Sequence, residues 1–214
     1  MIKTIKVDLK QNFPIFLDFY DSERIQQPLL IFSHGFKGFK NWGGFPYMLE
    51  KLSKGGFNAA ALNFSHNGID NENPAEFTRL DLFAKNTFSR ELDELGLVIG
   101  YFYNNAEQYN VDRNKIALIG HSRGGGISIL KASADDRIKC LVTLSSVSTF
   151  ARYSEKTKEL WKKTGYIEAE NTRTKQMMRL NLSLLEDIES NNLDIISAIG
   201  KLKIPVFGEG NLHS

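Results

Sequence analysis

The sequence contains a single cysteine, Cys140, so it cannot close an internal disulfide, and a reducing compartment is expected. Cys140 lies in the apolar run Cys140-Leu141-Val142-Thr143-Leu144 and reads as a small buried hydrophobe. A charge excess is also missing. The net charge is +2 over 214 residues, and the basic residues are scattered, which gives no footprint for nucleic acid or an anionic membrane. No apolar stretch approaches the length of a membrane span, and Met1-Ile2-Lys3-Thr4-Ile5-Lys6 alternates polar and apolar residues where a signal peptide would carry an apolar core. These absences point to a cytoplasmic protein. There is no phosphate loop and no dinucleotide fingerprint, and none of the four histidines sits in a metal-ligand spacing, so neither cofactor nor metal is expected. Repeats, low-complexity stretches and flexible linkers are lacking too. What remains is the composition of one folded domain over residues 1–214, 42% hydrophobic and 24% charged, large enough to bury a core.

The hydrophobic pattern predicts the order of elements. Ile2 to Leu9 and Ile15 to Tyr20 read as an antiparallel pair at a sheet edge, because the first alternates. Pro28-Leu29-Leu30-Ile31-Phe32-Ser33 is continuously apolar, as strands buried on both faces are. A helix follows from about Pro46 to Lys54, then a buried strand from Phe57 to Phe64 and a polar loop from Ser65 to Pro74. Phe88 to Asn104 carries Leu92, Leu95, Leu97, Val98, Ile99 and Phe102, a helical pattern against a core. Strands at Lys115–Ile119, Ile138–Leu144 and Lys203–Phe207 complete an α/β chain with a mostly parallel central sheet and helices on both faces. Residues 150–200 break the alternation. They read as an all-helical cap inserted over the active end, with Trp161, Met177 and Met178 packing inside it.

Gly120-His121-Ser122-Arg123-Gly124 is the stretch with the most chemical content. A strand-like run enters it and a small-residue helical run leaves it, which is the setting of a Gly-x-Ser-x-Gly nucleophile elbow. The tight turn strains the serine backbone, and the residues two before and two after must carry little side chain. The bland alternative is a Gly/Ser-rich turn without chemistry.

With Ser33-His34-Gly35-Phe36-Lys37-Gly38 after the third strand, with Gly120 to Gly125, and with Trp161, Gly165 and Asn171-Thr172-Arg173-Thr174 in the insertion, the chain resembles the α/β-hydrolase superfamily. The resemblance is to its dienelactone-hydrolase-like and serine-aminopeptidase-like branch. It implies that Ser122 is a nucleophile forming an acyl-enzyme on a small-molecule acyl substrate. It further implies that the backbone N–H groups of Arg123 and Phe36 serve as oxyanion donors. His34 and Gly35 would support the oxyanion loop, although His34 could also be taken for the base. His121 is expected to pack away from the hydroxyl, and His66 to be a solvated loop histidine. The family's acid falls at Asn211, and His213 is the only histidine after the nucleophile. The resemblance therefore implies an incomplete C-terminal end with impaired catalysis, and self-association through an exposed C-terminal sheet edge. The reading from another class is a degenerate hydrolase fold that binds a ligand or partner without turnover.

Overall fold

Continuous apolar runs need cover on both sides, and the sheet provides it. The computed structural model describes residues 1–9 and 12–209. Its strands are β1 (Ile2–Leu9), β2 (Asn12–Tyr20), β3 (Gln27–Ser33), β4 (Asn58–Asn63), β5 (Val111–His121), β6 (Ile138–Leu144), β7 (Tyr166–Glu170), β8 (Met177–Asn181) and β9 (Val206–Glu209). Its helices are α1 (Phe45–Lys54), α2 (Leu80–Ala84), α3 (Phe88–Asn104), α4 (Arg123–Ala134), α5 (Glu155–Thr164), α6 (Leu182–Ser190) and α7 (Ile195–Lys201). Seven strands form one sheet in the order β1-β2-β4-β3-β5-β6-β9. The pairs β4–β3, β3–β5, β5–β6 and β6–β9 are parallel, whereas β1–β2 and β2–β4 are antiparallel. The expected mostly parallel sheet with an antiparallel edge is present.

Successive residues of the central strands serve opposite cores. Leu29 and Ile31 of β3, Ala60 and Leu62 of β4, and Ile116 and Leu118 of β5 face the larger one, with Leu95, Val98, Ile99 and Phe102 of α3 and Ile127 of α4. Leu97, also expected against the core, is exposed. Leu30 and Phe32, Ala59 and Ala61, and Ala117 and Ile119 face the smaller one, closed by Leu49 of α1. The second core thins toward β6, where Cys140, Val142 and Leu144 are only partly buried. Cys140 is thus half-buried, not buried as its run suggests. At the sheet edge, Val206 and Phe207 of β9 are exposed.

The insertion is not all-helical. Between α5 and α6, β7 and β8 form a two-stranded antiparallel hairpin, with Ile167 opposite Leu180 and Ala169 opposite Met178. Gly165 ends α5 in the left-handed conformation (φ 80°) and turns the chain into β7. Along β8, Met178 and Leu180 are buried while Met177 and Arg179 are exposed, the two-residue period of a half-buried strand. Trp161 is fully buried in the main core, edge-on to Tyr153. Asp187 of α6 ties the insertion to the body by accepting from the free N–H groups of Phe88 (2.9 Å) and Ser89 (3.0 Å) at the start of α3. Among the described residues, no helix is long and apolar enough to cross a membrane.

Candidate active site

Ser122 stands between the end of β5 and the start of α4 with φ 53° and ψ −117°, a conformation that L-residues rarely adopt. The surrounding structure fixes it. Its N–H donates to Leu144 O (2.9 Å), and its carbonyl accepts from Gly125 N (3.0 Å) and Val147 N (3.2 Å). The glycines of the motif have steric causes. A Cβ on Gly120 would lie 2.6 Å from Gly125 Cα and 2.7 Å from Ser128 Oγ. A Cβ on Gly124 would run into the backbone at the end of β3, 2.5 Å from His34 O. Helix α4 can therefore start flush against the sheet only with bare backbone at these two positions.

The loop after β3 comes to the same place. A Cβ on Gly35 would stand 3.0 Å from Ser122 Cβ and 3.1 Å from His121 Nδ1, so Gly35 brings the chain directly against the serine and puts Phe36 next to it in sequence. The loop turns tightly, with Gly38 N donating to Gly35 O (3.0 Å) and Lys37 at φ 56°. Beyond the turn, Lys37 Nζ donates to Glu170 O of β7 (2.6 Å). Lys40 is buried in an ion pair with Asp18 of β2, and its N–H donates to Asn63 Oδ1 at the end of β4 (2.7 Å).

His34 is 1% exposed. Its Nδ1–H donates to Gly35 O (2.9 Å), and its Nε2 faces Asn67 Nδ2 at 3.3 Å, so both ring nitrogens are engaged in the neutral tautomer. Burial pushes its pKa down to about 3, the neighbouring Arg123 and His121 adding to the effect. His121 packs its ring against Phe45 (5.0 Å between centroids) and Trp42 (6.3 Å), and burial lowers its pKa as well. The Arg123 side chain runs inward to Glu91 Oε1 (2.6 Å), and Glu91 also accepts from Asn86 Nδ2 (2.7 Å). Burial raises the Glu91 carboxyl pKa, and Arg123 opposes that rise.

The comparisons with known proteins agree with this fold. A family model described as BD-FAE matches residues 79–181, a span that includes α3, the elbow and the hairpin of the insertion. An Escherichia coli relative, an uncharacterized 31.7 kDa protein in the traX-finO intergenic region, is 30% identical over 119 residues. That alignment covers 56% of this chain and 37% of the relative, so the chain matches little over a third of that protein's length. Among solved structures, DcsB in complex with its substrate analogue superposes with a TM-score of 0.75 at 16% identity, over 97% of this chain and 79% of DcsB. The α/β hydrolase GrgF from Penicillium sp. sh18 does so at 0.72 and 12%, over 100% and 92% of the two chains. Est1E from Butyrivibrio proteoclasticus gives 0.68 at 17%, over 96% and 76%. The chain has the α/β-hydrolase fold.

In this α/β-hydrolase fold the carboxyl ends of β3, β4 and β5 share one side of the sheet, and the loop after β4 holds a second buried polar cluster. Ser65 donates from its N–H to Glu94 Oε2 (2.8 Å) and from its hydroxyl to Glu94 Oε1, and His66 Nδ1 lies 2.6 Å from Ser65 Oγ. His66 is 6% exposed, so the expected solvated loop histidine is in fact buried beneath this network. Sequence reading passed over Asp18, Lys40, Glu91 and Glu94. For the two glutamates a signal exists, because they occupy the buried stripe of α3 together with Phe88, Leu95 and Val98. Asn211 and His213 lie outside the described residues.

Burial drives the Glu94 pKa up to about 7, against the pull of its bonds from Ser65. Burial, followed by the charges of Arg90 and Lys85, drives that of His66 down to about 4. The two shifts act oppositely on stability. A carboxyl raised on folding contributes fully below its unfolded value of 4.5 and loses that contribution as pH rises through about 7. The depressed histidines contribute fully above 6.5 and lose it as pH falls toward 4 for His66 and 3 for His34. Glu94→Gln keeps the neutral shape and removes the acid-side gain. On going from pH 7 to pH 5, urea unfolding should therefore show the wild type gaining about 2 kcal/mol relative to the variant. No relative gain would mean that Glu94 is ionised in the fold.

Proposed function

We propose that the protein is a serine hydrolase acting on carboxylic esters or small acyl or peptide substrates. In this reading Ser122 is the nucleophile, and the backbone N–H groups of Phe36 and Arg123 are the oxyanion donors. The observation that carries it is the strained Ser122 backbone, held between strand and helix with Gly35 pressed against its Cβ. Strain of this kind persists only where the surroundings impose it, and it holds a hydroxyl clear of the sheet. Ser122 Oγ would add to the substrate carbonyl carbon, moving charge onto the carbonyl oxygen beside the two N–H groups. Collapse breaks the bond to the alcohol or amine, which leaves with the proton given up by Oγ. The acyl-serine that remains is cleaved by water to the acid and the free hydroxyl. Backbone donors suit this because they are in place before the charge develops. Among the described residues, no histidine is hydrogen-bonded to Ser122 Oγ, and His34 has both ring nitrogens committed elsewhere. That same observation favours the second reading, a hydrolase fold that binds a ligand or partner without turnover.

A fluorophosphonate probe separates the two. Attack of Oγ on phosphorus forms an O–P bond, releases fluoride and leaves the hydroxyl proton to a base or to water. Covalent labelling that disappears in Ser122→Ala is expected. Turnover of simple aryl esters should be slow with no histidine bonded to Ser122 Oγ among the described residues. A hydroxyl without a base retains about 10³–10⁴-fold acceleration over water from the oxyanion site and binding. No labelling of the wild type would favour the binding role.

A further inference from the structure

We infer that the Arg123 side chain is a positioning residue, which pins the Phe36 ring and thereby sets where the Phe36 N–H stands relative to Arg123's own. The inference rests on the oxyanion reading above and assigns to the side chain a role that reading does not require. The guanidinium carbon lies 5.1 Å from the centre of the Phe36 ring and 5.7 Å from that of Phe88, within reach of attraction between cation and ring face. The same guanidinium is held through Nη2 by Glu91, a fully buried residue of α3 that Asn86 binds in turn. Phe36 also packs on Phe83, with ring centres 5.8 Å apart. Thus the residue whose N–H opens α4 reaches across to the ring of the residue that supplies the facing N–H.

Stability alone gives no reason for this arginine. A buried ion pair repays its desolvation only when its remaining polar atoms find partners. Here Arg123 Nε and Glu91 Oε2 are both buried without one among the described residues. An apolar pair of similar volume would hold the core at least as well. What an apolar pair lacks is a planar cation directed at a ring and locked by a helix, and placement within a fraction of an ångström is what an oxyanion site needs.

The test uses the full chain and the paired variant Arg123→Met with Glu91→Leu, which leaves no buried charge unpartnered and keeps the volume. Fluorophosphonate labelling of Ser122 is resolved into a limiting rate and a half-saturating concentration. The limiting rate should fall about 10–100-fold, with the half-saturating concentration changing less than about threefold. Phe36→Leu, which keeps the N–H and removes the ring, should cause a similar fall, and combining all three substitutions should add little. An unchanged limiting rate, or losses that multiply, overturns the inference. A second measurement does not depend on the reactivity of Ser122. The backbone order parameter at Phe36 should drop below about 0.6 in the paired variant while Leu29 to Phe32 remain rigid. If the wild type is not labelled, the nucleophile reading fails, and the order parameter still decides the clamp: a rigid Phe36 in the variant overturns it.

Discussion

Alanine in place of Gly124 should cost about 3 kcal/mol or more and lower the melting temperature by about 6–12 °C. The reason is the direction in which its Cβ would point. It would enter the carbonyls of Ser33 and His34, 2.7 Å from Ser33 C, and backbone cannot step aside as the tip of a side chain can. Relief requires α4 to lift away from β3. The N-terminal turn of α4 follows Ser122 directly, so lifting it also moves Ser122 and the N–H of Arg123. Labelling of Ser122 should therefore fall even at temperatures where the variant is still folded. Gly200 in α7 provides the control, because a Cβ there meets nothing within 4 Å. Gly200→Ala should be neutral or raise stability by about 0.4–1 kcal/mol, since alanine suits a helix better than glycine. Thermal unfolding of both variants is the measurement. Similar melting temperatures for the two would mean that α4 has room at its start.

The contrast between these glycines shows what the sequence reveals and what it hides. Gly120 and Gly124 were legible because their two-residue offsets from Ser122 have one steric cause, and that cause is local. The strand Gln27–Ser33 was legible because burial on both faces removes all alternation. The hairpin Tyr166–Glu170 with Met177–Asn181 was not. Its second strand is five residues long and runs without a break into Leu182, Leu184 and Leu185 of α6, so two periods share one apolar stretch. The buried charges were harder still. Asp18 meets Lys40 across 22 residues, Ser65 meets Glu94 across 29, and Glu91 meets Arg123 across 32. Each partner alone reads as a solvated residue, and only the fold brings them together. His66 follows the same logic: its immediate neighbours are polar, but Glu94 arrives from α3 and closes the network over it.

Of these buried pairs, Asp18 with Lys40 should give a large single-site effect that can be tested apart from the site itself. The two side chains are 9% and 4% exposed, and they join β2 to the far end of the loop that carries Phe36. Lys40→Met would leave the Asp18 carboxylate buried with no cation, accepting from Thr4 Oγ1 at 3.0 Å and from the side-chain amide nitrogen of Asn41 at 2.8 Å. Stranding one member of a buried pair costs about 3–5 kcal/mol, which for a chain of this size is a melting temperature lower by about 10 °C. Adding Asp18→Asn should recover most of that loss, because the stranded charge is gone and the amide can still accept from Thr4. Recovery would identify the cost as that of an uncompensated charge. No recovery in the double variant would point instead to lost packing of the lysine stem under the loop. The loop itself would keep one anchor in either variant, since Lys40 binds Asn63 Oδ1 through its main-chain N–H and methionine retains that group. Ser122 labelling, compared at a temperature where all forms are folded, should accordingly change much less than the melting temperature does.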